Sequence, residues 1–430
     1  MRFAHRVAIV TSEFPPEPTV SGRMAADLAT HLADAEAAVT VICPHPSRGV
    51  QMPPQTEDPA IQPWTRDGLR IIRVPSYTAP ISRFLPRIRE SWSFGRASVA
   101  ALRKLPTPDV VYSATWPMLG QAWITAAAAR LKVPHVTHVM DLYPESALLK
   151  VSPLLQVSSR SLLLALDRWI ARTVSHLAVI SEVMRRTYIS TRGTDPKRVS
   201  VVPTWQDHDP YLTLPSIDEA SAAYGIDSGM FSFMYLGNIG PVAGVEHLIK
   251  SFGAARIPEA QLLIAGEGSN KAACMQLARD TNAHIQFISD PAICNVPKLQ
   301  ALADVLLLPM RKDAAASSVP SKLSAYMFSA KPVLASVDSN SETARLIELS
   351  DCGWVIPPED SQAMAVAMRE CALRKPCVLE TLGANGRAYA FKHLTKSNGL
   401  ELLTELLRQA IISAPHGTRS ASTSPAVEAK

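Results

Sequence analysis

Two consecutive, doubly wound α/β domains are predicted by three features of the sequence. Short β-branched apolar runs alternate with stretches of helical spacing along most of the chain. That alternation lapses once, over 203–230, and then resumes. The 430 residues, at roughly 150 per domain, leave room for two large cores. Strands that alternate with helices imply parallel sheets covered on both faces, because each return to the sheet needs a crossover.

The first half reads RVAIVTS, VTVICP, LRIIRVP, DVVYSA, PHVTHVM, HLAVIS and VSVVP, each run ending in polar or turn residues. After the first run, Met24, Ala25, Leu28, Ala29 and Leu32 recur at helical spacing and predict a helix over 22–32. The connector PTWQDHDPYLTLPSIDEASAAYGIDSGM is polar and proline-bearing, so the expected domains are 1–205 and 206–395. The second half continues with FSFMYLG, QLLIAG, HIQFIS, DVLLLP, KPVLAS and GWVIP. KSNGLELLTELLRQAII predicts an amphipathic helix over 396–413, and the small polar residues 414–430 are expected to be disordered. Ligands of such sheets bind beyond the strand carboxyl ends, so a crevice between the two domains is the expected site.

Composition narrows the class. No apolar run approaches the roughly 20 residues that span a bilayer, so the chain is expected to be soluble or peripheral. The opening MRFAHRVAIVTSEFPPEP reads as a first strand and not as a signal peptide, because no small-residue cleavage site follows it. Six cysteines lie scattered without a CxxC pair, which argues against a zinc site or a disulfide framework and for a reducing cytoplasm. A net charge of +5 is modest and does not indicate a nucleic-acid protein.

Charge is concentrated in one segment. ISRFLPRIRESWSFGRASVAALRKLP (81–106) holds Arg83, Arg87, Arg89, Arg96, Arg103 and Lys104 against the single acid Glu90, interleaved with Phe84, Leu85, Ile88, Trp92 and Phe94. Such interleaving suits an anionic membrane surface. An ordinary helical connection with a solvated face fits equally.

No GxGxxG follows the first strand, so a dinucleotide fingerprint is missing. The turn Ser21-Gly22 before the expected helix would let a ligand approach backbone N–H groups. A comparable turn follows FSFMYLG, where Gly237 and Gly240 leave amides near a helix start and Asn238 lies between them. AGEGSN supplies a third, with Glu267 placed to accept hydrogen bonds from hydroxyls. In SSVPSKLSAYMFSAKPVLAS, Ser321 is a good N-cap, and Lys322 sits in the first turn, where a cation opposes the helix dipole. A bound diphosphate would turn that cost into a gain. A solvated lysine is the plain alternative.

The order of these pieces resembles glycosyltransferase family 4. The resemblance runs from the strand before FPPEP through ISEVMRRTYI, YLGNIGPVAGVEHLI, LLIAGEG, ADVLLLP and VPSKLSAYMFSAKPVLAS to SETARLIELSDCGWVIPPED, and covers the chain to about residue 395. It is closest to the bacterial branch that makes colanic acid, capsule and O-antigen, which includes fucosyl and N-acetylfucosaminyl transferases. It implies the GT-B fold, with two Rossmann-like domains facing a central crevice. It also implies retaining transfer from a nucleotide-diphosphate sugar without a catalytic metal or resident cofactor, donor in the second domain and acceptor in the first.

The family's phosphate loop falls on Gly22, its second-domain turn on Asn238 and Gly240, and its PSK element on Pro320, Ser321 and Lys322, with Leu323 beside them. Glu342, in SNSETARL, begins a helix near the donor in the family pattern and is equally a capping-box acid after Ser339. His138 and Asp141 end a first-domain strand where the family has a polar pair near the transferred sugar, and Glu145 is a further acceptor candidate. His138 as a packed core histidine and Asp141 as a turn cap remain the other reading.

Two departures stand out. Asn238 and Ala243 occupy the stretch where members carry an Arg and a Lys, and Ser317 and Ala325 stand where a Glu-x7-Glu pair is common. Lys322 is therefore the leading candidate to neutralise the diphosphate. The expected protein is a cytoplasmic transferase, peripheral on the inner membrane, that acts on a lipid-linked saccharide. A nucleotide-sugar 2-epimerase-like enzyme and a non-catalytic binding subunit of a transferase complex are the alternatives.

Overall fold

The structure is a computed structural model that describes residues 2–17, 19–47, 68–78, 84–114, 118–145, 153–241, 243–289, 295–312 and 321–414. Ser317, Pro320, Arg83 and the tail from 415 lie outside these residues, as does the Ser321 side chain. Every apolar run named above is a strand. They are β1 Arg6–Val10, β2 Ala38–Pro44, β3 Leu69–Val74, β4 Val110–Ala114, β5 His135–Val139, β6 His176–Val179 and β7 Val199–Val201, then β8 Phe231–Leu236, β9 Ala260–Ala265, β10 Ile285–Ile288, β11 Val305–Pro309, β12 Val333–Ser336 and β13 Gly353–Ile356.

The first seven strands form one sheet in the order β3-β2-β1-β4-β5-β6-β7, and the last six form another in the order β10-β9-β8-β11-β12-β13. Pairing is parallel across the second sheet and from β3 through β6 in the first. Each order reverses direction once, at β1/β4 and at β8/β11. Ligands of open parallel sheets bind outside the strand ends at such reversals.

The helices are α1 Val20–Asp34, α2 Phe84–Leu102, α3 Met118–Leu131, α4 Pro153–Thr173 and α5 Glu182–Arg192, followed by α6 Ile217–Tyr224, α7 Val245–Ala255, α8 Lys271–Asp280 and α9 Val296–Ala301. The chain then forms α10 Ser321–Phe328, α11 Glu342–Ser350, α12 Ser361–Ala372, α13 Pro376–His393 and α14 Lys396–Ile412. The chain divides into two compact units. The first holds residues up to Val179, Thr187–Ser200 and those from Leu402; the second holds Ile180–Arg186 and Val201–Glu401.

Strand periodicity explains the doubly wound packing of the second unit. Met234, Leu263, Leu306, Leu308, Val333 and Ala335 join one buried cluster, while Phe233, Tyr235, Leu262, Ile264, Val305, Leu307 and Leu334 join another. Alternate residues of each strand point to opposite faces, and both faces are dry. In the first unit Ala8, Val10, Ile42 and Val111 pack beneath Phe94, Ile124 and Val133. Each buried apolar side chain of this size contributes about 1.5–3 kcal/mol.

Two local expectations are corrected. Helix α1 begins at Val20, not after Gly22, because Thr19 is the N-cap and its Oγ1 accepts from the Gly22 N–H at 3.1 Å. The Gly22 amide is thereby satisfied within the chain. Helix α11 is capped by Ser341, which accepts from the Ala344 N–H at 3.2 Å, so no capping box forms between Ser339 and Glu342. A serine cap is worth about 1 kcal/mol.

Candidate active site

In the second unit the site is built where β8 and β11 end. The Tyr326 hydroxyl of α10 brackets the last residue of β8, accepting from the Leu236 N–H at 3.1 Å and donating to the Leu236 carbonyl at 3.2 Å. The chain then turns at Gly237, whose N–H donates to the Ala265 carbonyl at 2.9 Å and whose φ is +145°. A Cβ at Gly237 would overlap the Lys322 side chain, and one at Gly266 would overlap the Gly237 carbonyl. Glycine at these two places lets a lysine and a neighbouring turn lie directly on the backbone.

Past Gly237 the turn is tied to the β9–α8 turn. The Ile239 N–H donates to the Glu267 carbonyl at 2.8 Å, and the Asn270 N–H donates to the Ile239 carbonyl at 3.0 Å. Among the described residues the amides of Asn238 and Gly240 carry no hydrogen bond. Two unpaired amides on one tied turn leave donors that an anion could accept from.

Lys322 completes the arrangement. Its side chain is half-buried across Gly237, and its Nζ donates to the Tyr235 hydroxyl at 2.7 Å, which in turn donates to the Asn238 carbonyl at 2.7 Å. Burial lowers the Lys322 pKa to about 8, because an ammonium group loses hydration there. The structure thus brings Lys322, Asn238 and Gly240 together, with Leu323 buried beneath them in the core.

Three partners escaped the sequence reading. Tyr235 reads as one more apolar strand residue and gives no signal at a separation of 87 residues from Lys322. Arg311 donates from Nη1 to the Pro241 carbonyl at 3.0 Å and pairs with Glu359 at 3.2 Å. Lys271 pairs with Glu267 at 2.6 Å and donates to Ser289 Oγ at 2.6 Å. The turn without cations of its own therefore has two nearby, from other elements. Glu267, expected to face hydroxyls, is held by Lys271. Glu342 is buried, accepting from Arg345 at 2.5 Å and from the Val183 N–H at 3.2 Å. At the position where an acid is common, Ala325 packs in the core.

In the first unit the candidates are packed in more tightly. His138 has 0% exposure, and its Nδ1 lies 3.0 Å from the Tyr112 hydroxyl, as a core histidine would. On the other face of β5, His135 Nε2 lies 2.7 Å from Ser113 Oγ, and Gln121 Nε2 donates to Thr137 Oγ1 at 2.6 Å. Complete burial lowers the His135 pKa to about 3, so this ring is neutral. Asp141 is half-buried and lines a small cavity with Gln121, Thr137, Tyr143, Asp167 and Tyr188.

Glu145 accepts from Arg192 Nη2 at 2.7 Å, and the same guanidinium, 1% exposed, bonds Asp167 at 2.8 Å and the Tyr143 carbonyl at 2.9 Å. Burial raises the Asp167 pKa to about 6, with the Arg192 hydrogen bond opposing it. Arg192 lies in the last turn of α5, where the sequence does not single it out; burial, which sequence does not display, makes it the hub of this cluster.

Basic residues emerge on one helical layer of this unit. Helix α2 exposes Ile88, Arg89, Trp92 and Arg96, and α4 exposes Arg160, Leu162, Arg168, Trp169 and Arg172. Helix α3 packs against both, with Trp123 meeting Trp92 edge-on at 5.1 Å. The acids of these helices, Glu90 and Asp167, are buried against Arg87 and Arg192. Asp207, His208 and Asp209 stand close enough together to share a metal ion, but the two acids are exposed, and the His208 ring stacks on Phe328 at 6.2 Å.

Comparison with known proteins follows this division. Residues 21–205 match the glycosyl transferase 4-like domain, and residues 231–373 match glycosyl transferases group 1. A probable glycosyltransferase of Pseudomonas aeruginosa, WbjE, is 25% identical over 332 residues, 76% of this chain and 80% of that protein. A putative colanic acid biosynthesis glycosyl transferase of Escherichia coli (strain K12), WcaI, is 24% identical over 240 residues, 55% of this chain and 58% of that protein. The solved structure of Anabaena HepE in complex with UDP superposes with a TM-score of 0.70 at 15% identity, covering 94% of this chain and 100% of that one. The fold is GT-B, as the sequence resemblance implies.

Proposed function

The chain belongs to the glycosyltransferases, pairing a 4-like domain with a group 1 domain, and we propose that it moves a sugar, with retention, from a nucleoside-diphosphate donor to a lipid-linked saccharide in surface polysaccharide synthesis. The observation that carries this reading is the ammonium of Lys322 held across Gly237, beside the unpaired amides of Asn238 and Gly240. In the transfer the bond between the anomeric carbon and the diphosphate oxygen breaks, and negative charge grows on the leaving group. A fixed cation and fixed amides stabilise that charge without reorganising. The acceptor hydroxyl forms the new bond on the same face, and its proton passes to the departing phosphate oxygen. That route needs no protein nucleophile. HepE in complex with UDP and with UDP-glucose supports a nucleoside-diphosphate sugar as donor, and the name of WcaI supports a polysaccharide product.

The acceptor side rests on the exposed faces of α2 and α4. Arginines spaced among the exposed Ile88, Trp92, Leu162 and Trp169 suit anionic headgroups, with rings and stems entering the interface. On this reading the protein works in the cytoplasm, peripheral on the inner membrane. No helix among the described residues is long and apolar enough to cross a membrane.

The test is a panel of nucleoside diphosphates scored by melting temperature, followed by transfer from the best nucleotide sugar to a membrane lipid extract. Binding to the native state raises the melting temperature with the logarithm of ligand excess. One nucleotide should stand out and its sugar should appear on lipid. Isomerised donor without acceptor would indicate an epimerase, and binding without turnover a silent subunit. Co-sedimentation should occur with vesicles of phosphatidylcholine plus phosphatidylglycerol and fail with phosphatidylcholine alone.

A further inference from the structure

We propose that Tyr235 is the positioning residue of this site: its hydroxyl, fixed to the Asn238 carbonyl, holds the Lys322 ammonium across Gly237, beside the place a diphosphate would occupy. The inference rests on the donor reading above and adds a residue to which neither the motif nor the family pattern gives a role.

The geometry is a relay of two short bonds. Lys322 Nζ donates to Tyr235 Oη at 2.7 Å, and Tyr235 Oη donates to the Asn238 carbonyl at 2.7 Å. One hydroxyl therefore serves as acceptor for the cation and as donor to the turn, with both roles fixed in direction. The Tyr235 side chain is buried, and its phenol is held well above its ordinary pKa, chiefly by burial, so the hydroxyl keeps its proton. A lysine on a four-carbon stem has many rotamers, and ordering it costs conformational entropy. The relay sets that order before ligand arrives, which is the condition for fixed charge to aid catalysis.

Among the described residues the ionisable groups that act on Tyr235 are Tyr326, Cys274 and Glu246. Tyr326 of α10 faces the Leu236 backbone, Cys274 of α8 is buried, and Glu246 of α7 accepts from Asn270 Nδ2 at 2.7 Å. Tyr235 is thus the acceptor for a cation that burial already disfavours. A hydrogen bond to the charged form raises a pKa, so removing it lowers that of Lys322 further. A group protonated below its pKa then loses its charge at a lower pH.

The experiment measures the affinity of the full chain for inorganic diphosphate, a probe independent of the donor base, from about pH 6 to about pH 9. Wild type, Tyr235→Phe, Tyr326→Phe and Lys322→Ala are compared by calorimetry. The titration of diphosphate itself is common to all and cancels in the ratios. Tyr235→Phe should bind within about twofold of wild type near pH 6 and about tenfold more weakly near pH 8, because its weakening with alkali begins earlier. Tyr326→Phe removes a hydroxyl at the same strand end without touching Lys322, and should lower the melting temperature with no change in the pH profile. A constant ratio of Tyr235→Phe to wild type at every pH, including a ratio of one, overturns the positioning role. If Lys322→Ala binds diphosphate as wild type does, or wild type does not bind it, the donor reading itself fails.

Discussion

The strand ends of the two units treat their polar groups in opposite ways. At the end of β5 in the first unit His138 is bonded to Tyr112, Glu145 is bonded to Arg192, and Arg192 holds Asp167 as well. At the end of β8 in the second, the Asn238 and Gly240 amides are unpaired and an ammonium lies across a glycine. Buried polar groups are expensive to leave without partners, so a satisfied cluster reads as scaffold. An unsatisfied turn that two neighbouring segments hold rigid reads as a place for a ligand. His138 and Glu145, two of the candidates read from the sequence, therefore sit in the region whose polar groups are bonded to one another.

Three substitutions would break or sharpen that contrast. The largest effect is expected at Arg192. Arg192→Met leaves Asp167 buried without its cation and should cost about 3–5 kcal/mol of stability in urea unfolding. Nucleotide affinity, measured where the variant remains folded, should be unchanged. A loss of affinity without a loss of stability would mean that the cluster serves ligand and not scaffold.

His135 comes next, through pH. Its folded pKa of about 3 lies below the ordinary 6.5, so the unfolded chain binds the extra proton between those values. Its contribution to stability is complete above about pH 6.5 and lost as pH falls toward 3, amounting to about 2 kcal/mol by pH 5. Unfolding at neutral pH and at about pH 5 should show this slope in wild type and a shallower one in His135→Gln. Equal slopes would place the acid sensitivity elsewhere.

The smallest stability change and the larger functional one belong to Gly237→Ala. The positive φ and the overlap with Lys322 should cost about 1–2 kcal/mol, while displacing the ammonium should weaken nucleotide binding about tenfold. Retention of full affinity would separate Lys322 from the turn and dissolve the contrast.

Much of the architecture was legible because its signal is local. A short apolar run such as VLLLP or HLAVI needs no partner to declare itself, and all thirteen strands lie where such runs do. The lysine at the start of α10 was legible for the same reason, as a charge opposed to a helix terminus. What remained hidden depends on contacts distant in sequence. Tyr235 looked like sheet filler until the fold set it against Lys322. Nothing in the sequence marks Arg192, which the fold buries against Asp167 and beside Glu145. Gly22 shows the converse: glycine beside a helix start suggested an open amide, but Thr19, three residues earlier, occupies it.

The central claim is that Lys322, held on the Gly237 turn, receives the donor diphosphate. It is tested most directly by the dissociation constant of the nucleoside diphosphate that most raises the melting temperature, measured for wild type and Lys322→Ala at neutral pH. The account predicts affinity at least about tenfold weaker, and transfer about 100-fold slower, with an unchanged or higher melting temperature since a buried charge is removed. Equal dissociation constants and equal rates in the two proteins would contradict it.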